Sequence, residues 1–454
     1  MKRFKFYAML LALVAFVACS DDFVPVLVTD LETDSFTFTS EGGEEYFILE
    51  TNEQWWVDDV PEWITVNVTD APIATRADGT LYDKGKKSVA IVVDENLEFD
   101  NRRAELTMTS ESGNMVKLTV AQEKRSGLAG YWILSEGTTG SGDSELAWFN
   151  SVKGGVATKQ FKAINGVALG DTGNELQLYG SKMYVVVTGP GFTTETTAEN
   201  SYIEVINPVD GKSIKRIPFT NSEGAPAKPR NIIFEGGKGY ISSYSNEIVR
   251  LDTATLALDA HAALGGTFAE GLTYNDGNIY VCNGGQGHGN KISVVDTKTM
   301  IETKVIVTAS NPSKILTVDN GDIYFTTDWP SYKLYKLKTA DETLTEIEGM
   351  AVADITHSKN QIYSSFHDWS TSMGEIYQFN TQTNSKSKIT LDLASQDAAS
   401  IVKYHIGTVN GSDLLYISGM YSDNVFIFDP ATQEIEHAFH TGVNGGSGVV
   451  AVYR

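Results

Sequence analysis

The chain has 454 residues, 41% of them hydrophobic and 10% aromatic, with a formal net charge of −23. At about 150 residues per domain that length predicts two or three domains, and the apolar content excludes a disordered chain. So acidic a balance argues against nucleic acid or phosphate-rich surfaces as partners.

The opening segment "MKRFKFYAMLLALVAFVAC" has a basic start at Lys2, Arg3 and Lys5, then a short apolar run. It is too short for a comfortable membrane span and reads as a secretory signal over residues 1–18. "LVAFVAC" resembles a bacterial lipoprotein processing site, which implies lipidation at Cys19 and a linker over 19–27. The following "SDD" resembles the surface-export cue of Bacteroidetes lipoproteins, implying an outer-membrane lipoprotein that faces the cell exterior. Losing the signal's three cations takes the net charge to −26. Cys282 then stands alone, so no intramolecular disulfide is expected, and "NIYVCNGG" reads as a strand that buries it as a small hydrophobe.

Residues 28–124 carry short alternating runs. "DSFTFTSEGGEEYFILET" is a hairpin signature around Gly42-Gly43, and "EQWWVDDVPEWITVNV", "KKSVAIVVDEN" and "NRRAELTMTSESGNMVKLTVAQE" follow. About seven strands at this density predict a β-sandwich of immunoglobulin type, with Trp56 and Trp63 as the largest core contributors and 69–86 as a surface loop. The pattern of Trp56, Pro61, Trp63, Asn96, Arg102 or Arg103, and Gln122 resembles the BACON domain of Bacteroidetes surface proteins. That resemblance implies carbohydrate binding or a spacer beneath a second domain.

From 125 to 454 a unit repeats. "GYWILSE", "KMYVVVT", "KGYISSY", "NIYVCNG", "DIYFTTD", "QIYSSFH" and "LLYISGM" align on Trp132, Tyr184, Tyr240, Tyr280, Tyr324, Tyr363 and Tyr416, at spacings of 52, 56, 40, 44, 39 and 53. Each is followed by a loop and a second strand running into an Asp- or Asn-led turn, as in "EIVRLDTATL". Four short strands per unit at this period predict a seven-bladed β-propeller. The first unit lacks an inner strand and "GSGVVAVYR" lacks partners, so the C-terminal strand is expected to close the ring. The fold is therefore all-β, a sandwich followed by a propeller that resembles the YVTN-type and quinoprotein-like propellers of Bacteroidetes lipoproteins.

The loops between second and third strands place large rings on one face, where aromatic side chains are costly unless covered. Tyr244, His288, Trp329, Tyr332, His367, Trp369 and Tyr421 are the candidate ligand-binding residues. Catalytic signatures are thin. "GGQGHGN" has no helix after it, the histidines show no metal-ligand spacing, and there is no nucleophile elbow. Neither an enzyme nor a cofactor nor a metal site is expected. The resemblance to surface cobalamin-capture (BtuG-like) propeller lipoproteins implies capture of a corrinoid such as vitamin B12 for a TonB-dependent outer-membrane transporter. A glycan ligand or a protein-interaction scaffold are the alternatives.

Overall fold

A computed structural model describes residues 23–69, 74–76, 79–96, 98, 100–191, 196–287, 289–368, 373–391 and 404–454. The chain divides into two compact units at Ser126/Gly127. Cys19, His288 and Trp369 lie outside the described residues, as do the signal segment and the "SDD" cue. Among the described residues no helix is long and apolar enough to cross a membrane.

The first unit is a two-sheet sandwich. One sheet orders the strands Leu27–Thr29, Gly43–Thr51, Gly85–Val93 and Ile64–Val68. The other orders Ser35–Phe38, Met115–Gln122, Arg102–Ser110, Trp55–Asp58, Gly79–Tyr82 and Ala74–Arg76. The strand Ser35–Phe38 pairs parallel to Met115–Gln122, while the other paired strands run antiparallel. Alternation puts Leu49, Val89, Ile91, Leu106, Leu118 and Val120 into one core shared by both sheets.

Two expectations need correction here. Trp55, fully buried and 4.8 Å from Tyr82, is the large core ring. Trp56, the next residue, faces the other way and donates its Nε1–H to Asp58 Oδ2 at 2.9 Å. Trp63 is half-buried against the core with the Arg102 guanidinium 4.4 Å above it. A one-residue shift in a strand exchanges the inward and outward sets, and a Trp-Trp pair leaves that register ambiguous in sequence. The segment 69–86 is also more than a loop, since its strands Ala74–Arg76 and Gly79–Tyr82 form a hairpin on the edge of the larger sheet.

The other motif positions hold backbone. Gln122 Nε2 donates to the carbonyls of Thr39 and Asp94, both at 3.0 Å, and its Oε1 accepts from Arg102 Nε at 2.8 Å. Asn96 Nδ2 donates to the carbonyls of Asp100 and Glu123. These bonds satisfy carbonyls at strand ends that would otherwise be buried without partners. Of the two candidate arginines, Arg102 is the one in this network.

In the second unit the described residues form seven four-stranded antiparallel sheets, the blades of a β-propeller. Blade 1 is built from Leu128–Ser135, Glu145–Asn150, Val156–Ala157 and, as its inner strand, Gly446–Tyr453. Trp132 opposes Val450 across that pairing, so the ring is closed by strands more than 300 residues apart. Inner strands of blades 2 to 7 are Gly173–Tyr179, Pro229–Glu235, Ala269–Asn275, Pro312–Thr317, Asp354–Ser358 and Tyr404–Thr408.

Sequence explains the blades locally. In the turn from third to fourth strand, Asp252 Oδ1 accepts the N–H of Ala254 and Thr255, and Asn380 Oδ1 accepts those of Gln382 and Thr383. Each turn closes with a left-handed residue, Leu256 at φ 55° and Asn384 at φ 56°, whose N–H returns to the carbonyl of the leading Asp or Asn. Asp296 with Met300 and Asp429 with Gln433 repeat the device.

Apolar cores lie between neighbouring blades. Val186, Ile203 and Val205 of blade 2 pack with Ile232, Ile241 and Val249 of blade 3, and equivalent clusters continue to the blade 7–blade 1 junction. Cys282 is fully buried between blades 4 and 5, and burial pushes its thiol well above the usual range, which suits a packing role.

Candidate functional site

Each inner strand begins at the same end of the ring, and the first residues of all of them border one cavity of about 1050 Å³. In blades 2 to 5 the pairing of inner to second strand slips just after its first residue. The shifts fall between Gly173 and Glu175, Pro229 and Ile232, Ala269 and Leu272, and Pro312 and Ile315. Such bulges free residues from the ladder and re-aim them. The freed or flanking positions are Glu175, Arg230, Asn231, Glu270 and Lys314, joined by Asp354 and His405 from blades 6 and 7, and all of them line the cavity.

The inner strands approach closely because two of them carry glycine at the contact. A Cβ on Gly271 would lie 2.6 Å from the Ser313 carbonyl and 3.0 Å from Lys314 Cα. One on Gly448 would lie 2.7 Å from Leu176 Cβ and 2.9 Å from its backbone nitrogen.

Two of the carboxylates on the cavity wall have a basic side chain at contact distance. Arg230 Nε is 3.2 Å from Glu270 Oε2, both side chains nearly enclosed. Tyr244 donates its hydroxyl to the other oxygen of Glu270, and the guanidinium sits 4.9 Å above the Tyr244 ring. Burial opposes the charge on Arg230, but Glu270 more than offsets it and the pKa is raised. Glu175 accepts from the Ile232 N–H at 2.8 Å, from Gln177 at 2.5 Å and from Asn231 at 3.2 Å. Burial nevertheless dominates there and raises its pKa.

Across the ring, Asp354 Oδ2 is 3.4 Å from His405 Nδ1, and its Oδ1 accepts the Ile355 N–H at 3.0 Å. Against the cost of burial, the Lys314 charge and the His405 hydrogen bond hold the Asp354 carboxyl below its usual value. Lys314 is likewise buried against its charge, and Asp354, Glu270 and Glu175 together raise its pKa.

The most exposed ring at this wall is an indole. Trp329 is 69% exposed and borders the cavity together with Asp328 and Tyr332. Its loop is tied down from several sides. Asp328 Oδ1 accepts the Trp329 N–H at 2.7 Å, Asn311 Nδ2 donates to the Trp329 carbonyl, and the Val352 N–H donates to the Tyr332 carbonyl at 2.9 Å. The Trp329–Pro330 peptide is cis. Trp329 is thus an exposed indole on an anchored loop, at the border of a recess lined by charged and amide side chains.

The profile of the family described as Domain of unknown function (DUF5074) matches residues 129–452. This chain belongs to the DUF5074 family. That match spans every blade of the ring, so the DUF5074 region and the propeller coincide. Among solved structures the chain is similar to Kuenenia stuttgartiensis hydrazine synthase, at 13% identity over 61% of this chain and 89% of that one, with a TM-score of 0.48. It is similar also to the WD40 domain of Neurospora crassa Pan2, at 10% identity over 62% and 80%, with a TM-score of 0.43. No curated protein matches the sequence.

The DUF5074 propeller treats the sequence-predicted residues unequally. Trp329 and Tyr332 border the cavity, Tyr332 with Phe366 packed edge-on 5.2 Å away. Tyr244 stands behind the wall and acts on the site through Glu270 and Arg230. Tyr421 is 64% exposed, but its neighbour Met420 is the residue on the cavity wall. His367 belongs to the second strand of blade 6, opposite Gly374, instead of a loop. His288 and Trp369 fall outside the described residues.

Sequence reasoning missed the charged inner-strand residues of the DUF5074 ring, including His405, which it set aside with the scattered histidines. Their signal is present in "AKPRNIIF", "TFAEGLTY", "SNPSKILT", "AVADITHS" and "VKYHIGTV", each with one or two polar or charged residues where an apolar strand begins. Among the described residues no group of three His, Cys, Asp or Glu side chains could hold a metal ion.

Proposed function

We propose that this protein is a lipid-anchored surface protein that captures a nutrient at the propeller cavity and passes it to a TonB-dependent outer-membrane transporter. The ligand class we favour is a corrinoid such as vitamin B12. One observation carries the binding reading: exposed Trp329 overhangs a cavity of about 1050 Å³ whose wall gathers charged or amide side chains from six blades. That volume is at the upper end of small-molecule sites and suits a cofactor-sized ligand. A corrinoid offers apolar ring edges to Trp329 and a fringe of amides to the polar wall. The exposed indole also favours a second reading, in which an oligosaccharide stacks on it as part of a glycan-utilisation system.

Calorimetry with the purified protein and cyanocobalamin tests the first reading. Saturable binding weakened about tenfold or more by Trp329→Ala is expected. An absence of heat at micromolar corrinoid, with binding on a polysaccharide array, would replace it with the second. Membrane attachment is tested separately. Cys19→Ser should move the protein from the membrane fraction to the soluble one, and retention in the membrane would remove the lipid-anchor reading.

A further inference from the structure

Hydrogen bonding around the cavity is unevenly satisfied. The three inner-strand carboxylates are engaged at contact distance: Glu175 by backbone and amide donors, Glu270 by Arg230 and Tyr244, Asp354 by the Ile355 N–H and His405. Lys314 is the exception. Among the described residues its ammonium has no hydrogen bond and no ion pair within 4.0 Å, although it borders the cavity and lies in the field of all three carboxylates. Two further polar atoms of the wall, His405 Nε2 and Asn231 Oδ1, are buried without a hydrogen-bond partner.

The chemistry of these three groups is complementary. An ammonium in a recess shielded from bulk water gains most from a contact anion, and such charge-assisted bonds are about twice as strong as neutral ones. His405 turns Nδ1 to the Asp354 carboxylate at 3.4 Å, and in the tautomer that donates there Nε2 is the ring's acceptor. Asn231 Oδ1 is an acceptor as well, its Nδ2 being spent on Glu175. The unfilled capacity is therefore one cation and two acceptors, which a hydroxyl-bearing anion fills.

We propose that the cavity takes a ligand presenting a hydroxyl-flanked anionic group, a sugar acid or a sugar phosphate. The anion seats on Lys314, and hydroxyls donate to His405 Nε2 and Asn231 Oδ1. This inference rests on the binding reading above and narrows its ligand chemistry to the part that enters the cavity.

The test titrates the whole protein with galacturonate, galactose 6-phosphate and galactose, followed by calorimetry. At least one acid should bind about tenfold or more tightly than galactose. Lys314→Met should erase that preference, and Lys314→Arg should keep it within about threefold. Whichever acid binds more tightly identifies carboxylate or phosphate as the source. Equal binding of galactose and both acids, or an undiminished preference in Lys314→Met, overturns the proposal.

A readout without substitution guards against misfolding. Acetylation of Lys314 in the native protein, followed by mass spectrometry, should be slowed by the preferred acid and not by galactose; equal rates count against the proposal. If a corrinoid or neutral glycan binds while neither acid does, this inference falls and the binding reading stands. If an acid binds while no corrinoid or polysaccharide does, the named nutrients fall and the anion site stands.

Discussion

Removing residues 446–454 should abolish the cooperative unfolding transition of the propeller. The strand Gly446–Tyr453 buries Val449, Val450, Ala451 and Val452 almost completely, between blades 7 and 2. At about 1.5–3 kcal/mol per fully buried side chain of valine size, the three valines alone contribute roughly 4.5–9 kcal/mol. That is comparable with the roughly 5–15 kcal/mol that holds a whole domain together. Deletion also unpairs one long edge of Leu128–Ser135, removes the Ser447 Oγ bond to the Gly173 carbonyl at 2.6 Å, and opens the cavity wall beside Leu176. An exposed apolar strand edge invites association with other chains. Thermal scans and light scattering on the truncated protein should show aggregation. A propeller transition within about 1 kcal/mol of the intact protein would mean that the last strand is dispensable, contrary to the pairing described.

The second large effect is expected at the Arg230–Glu270 pair. Arg230→Met leaves the Glu270 carboxylate with the Tyr244 hydroxyl but without its contact cation, in a site where both partners are nearly enclosed. Breaking such a pair on one side costs about 3–5 kcal/mol. Lys314 lies near enough to feel Glu270, so the lower end of that range applies. Arg230→Met combined with Glu270→Gln removes both charges, and most of the loss should return. Chemical denaturation read at the propeller's own transition decides it, because a two-unit chain need not unfold in a single step. A single variant as stable as the parent would show that the pair is solvated and that the wall is not a low-dielectric surface.

The ring was legible in the sequence because its signals are local and repeated. A strand centred on Tyr184, Tyr240, Tyr280 or Tyr324 and the Asp- or Asn-led turn that follows need no knowledge of distant residues. Closure by the last strand was legible for a different reason: a missing inner strand at one end matched an unpaired one at the other. The cavity wall was harder to read. Loop aromatics draw attention because their exposure is costly, whereas Arg230, Glu270 and Lys314 sit in stretches that read as ordinary strand. What turns them toward the axis is a slip in the pairing register, which depends on the neighbouring strand and leaves no mark in composition. Trp55 and Trp56 show the same blindness in the first unit, since alternation alone does not say which of two adjacent indoles faces inward.

The register slips also bear on how such a site can change over generations. Because the residues just after each slip are released from the ladder, exchanging Arg230, Glu270 or Lys314 alters what the wall presents without rewriting the sheet behind it. Each blade behaves as one dial of a combination lock, set at a nearly equivalent position and turned independently, except where Arg230 and Glu270 are coupled. Diversification within this architecture should then concentrate at the second and third residues of the inner strands, while the interblade cores and the asparagine- and aspartate-led turns drift more slowly.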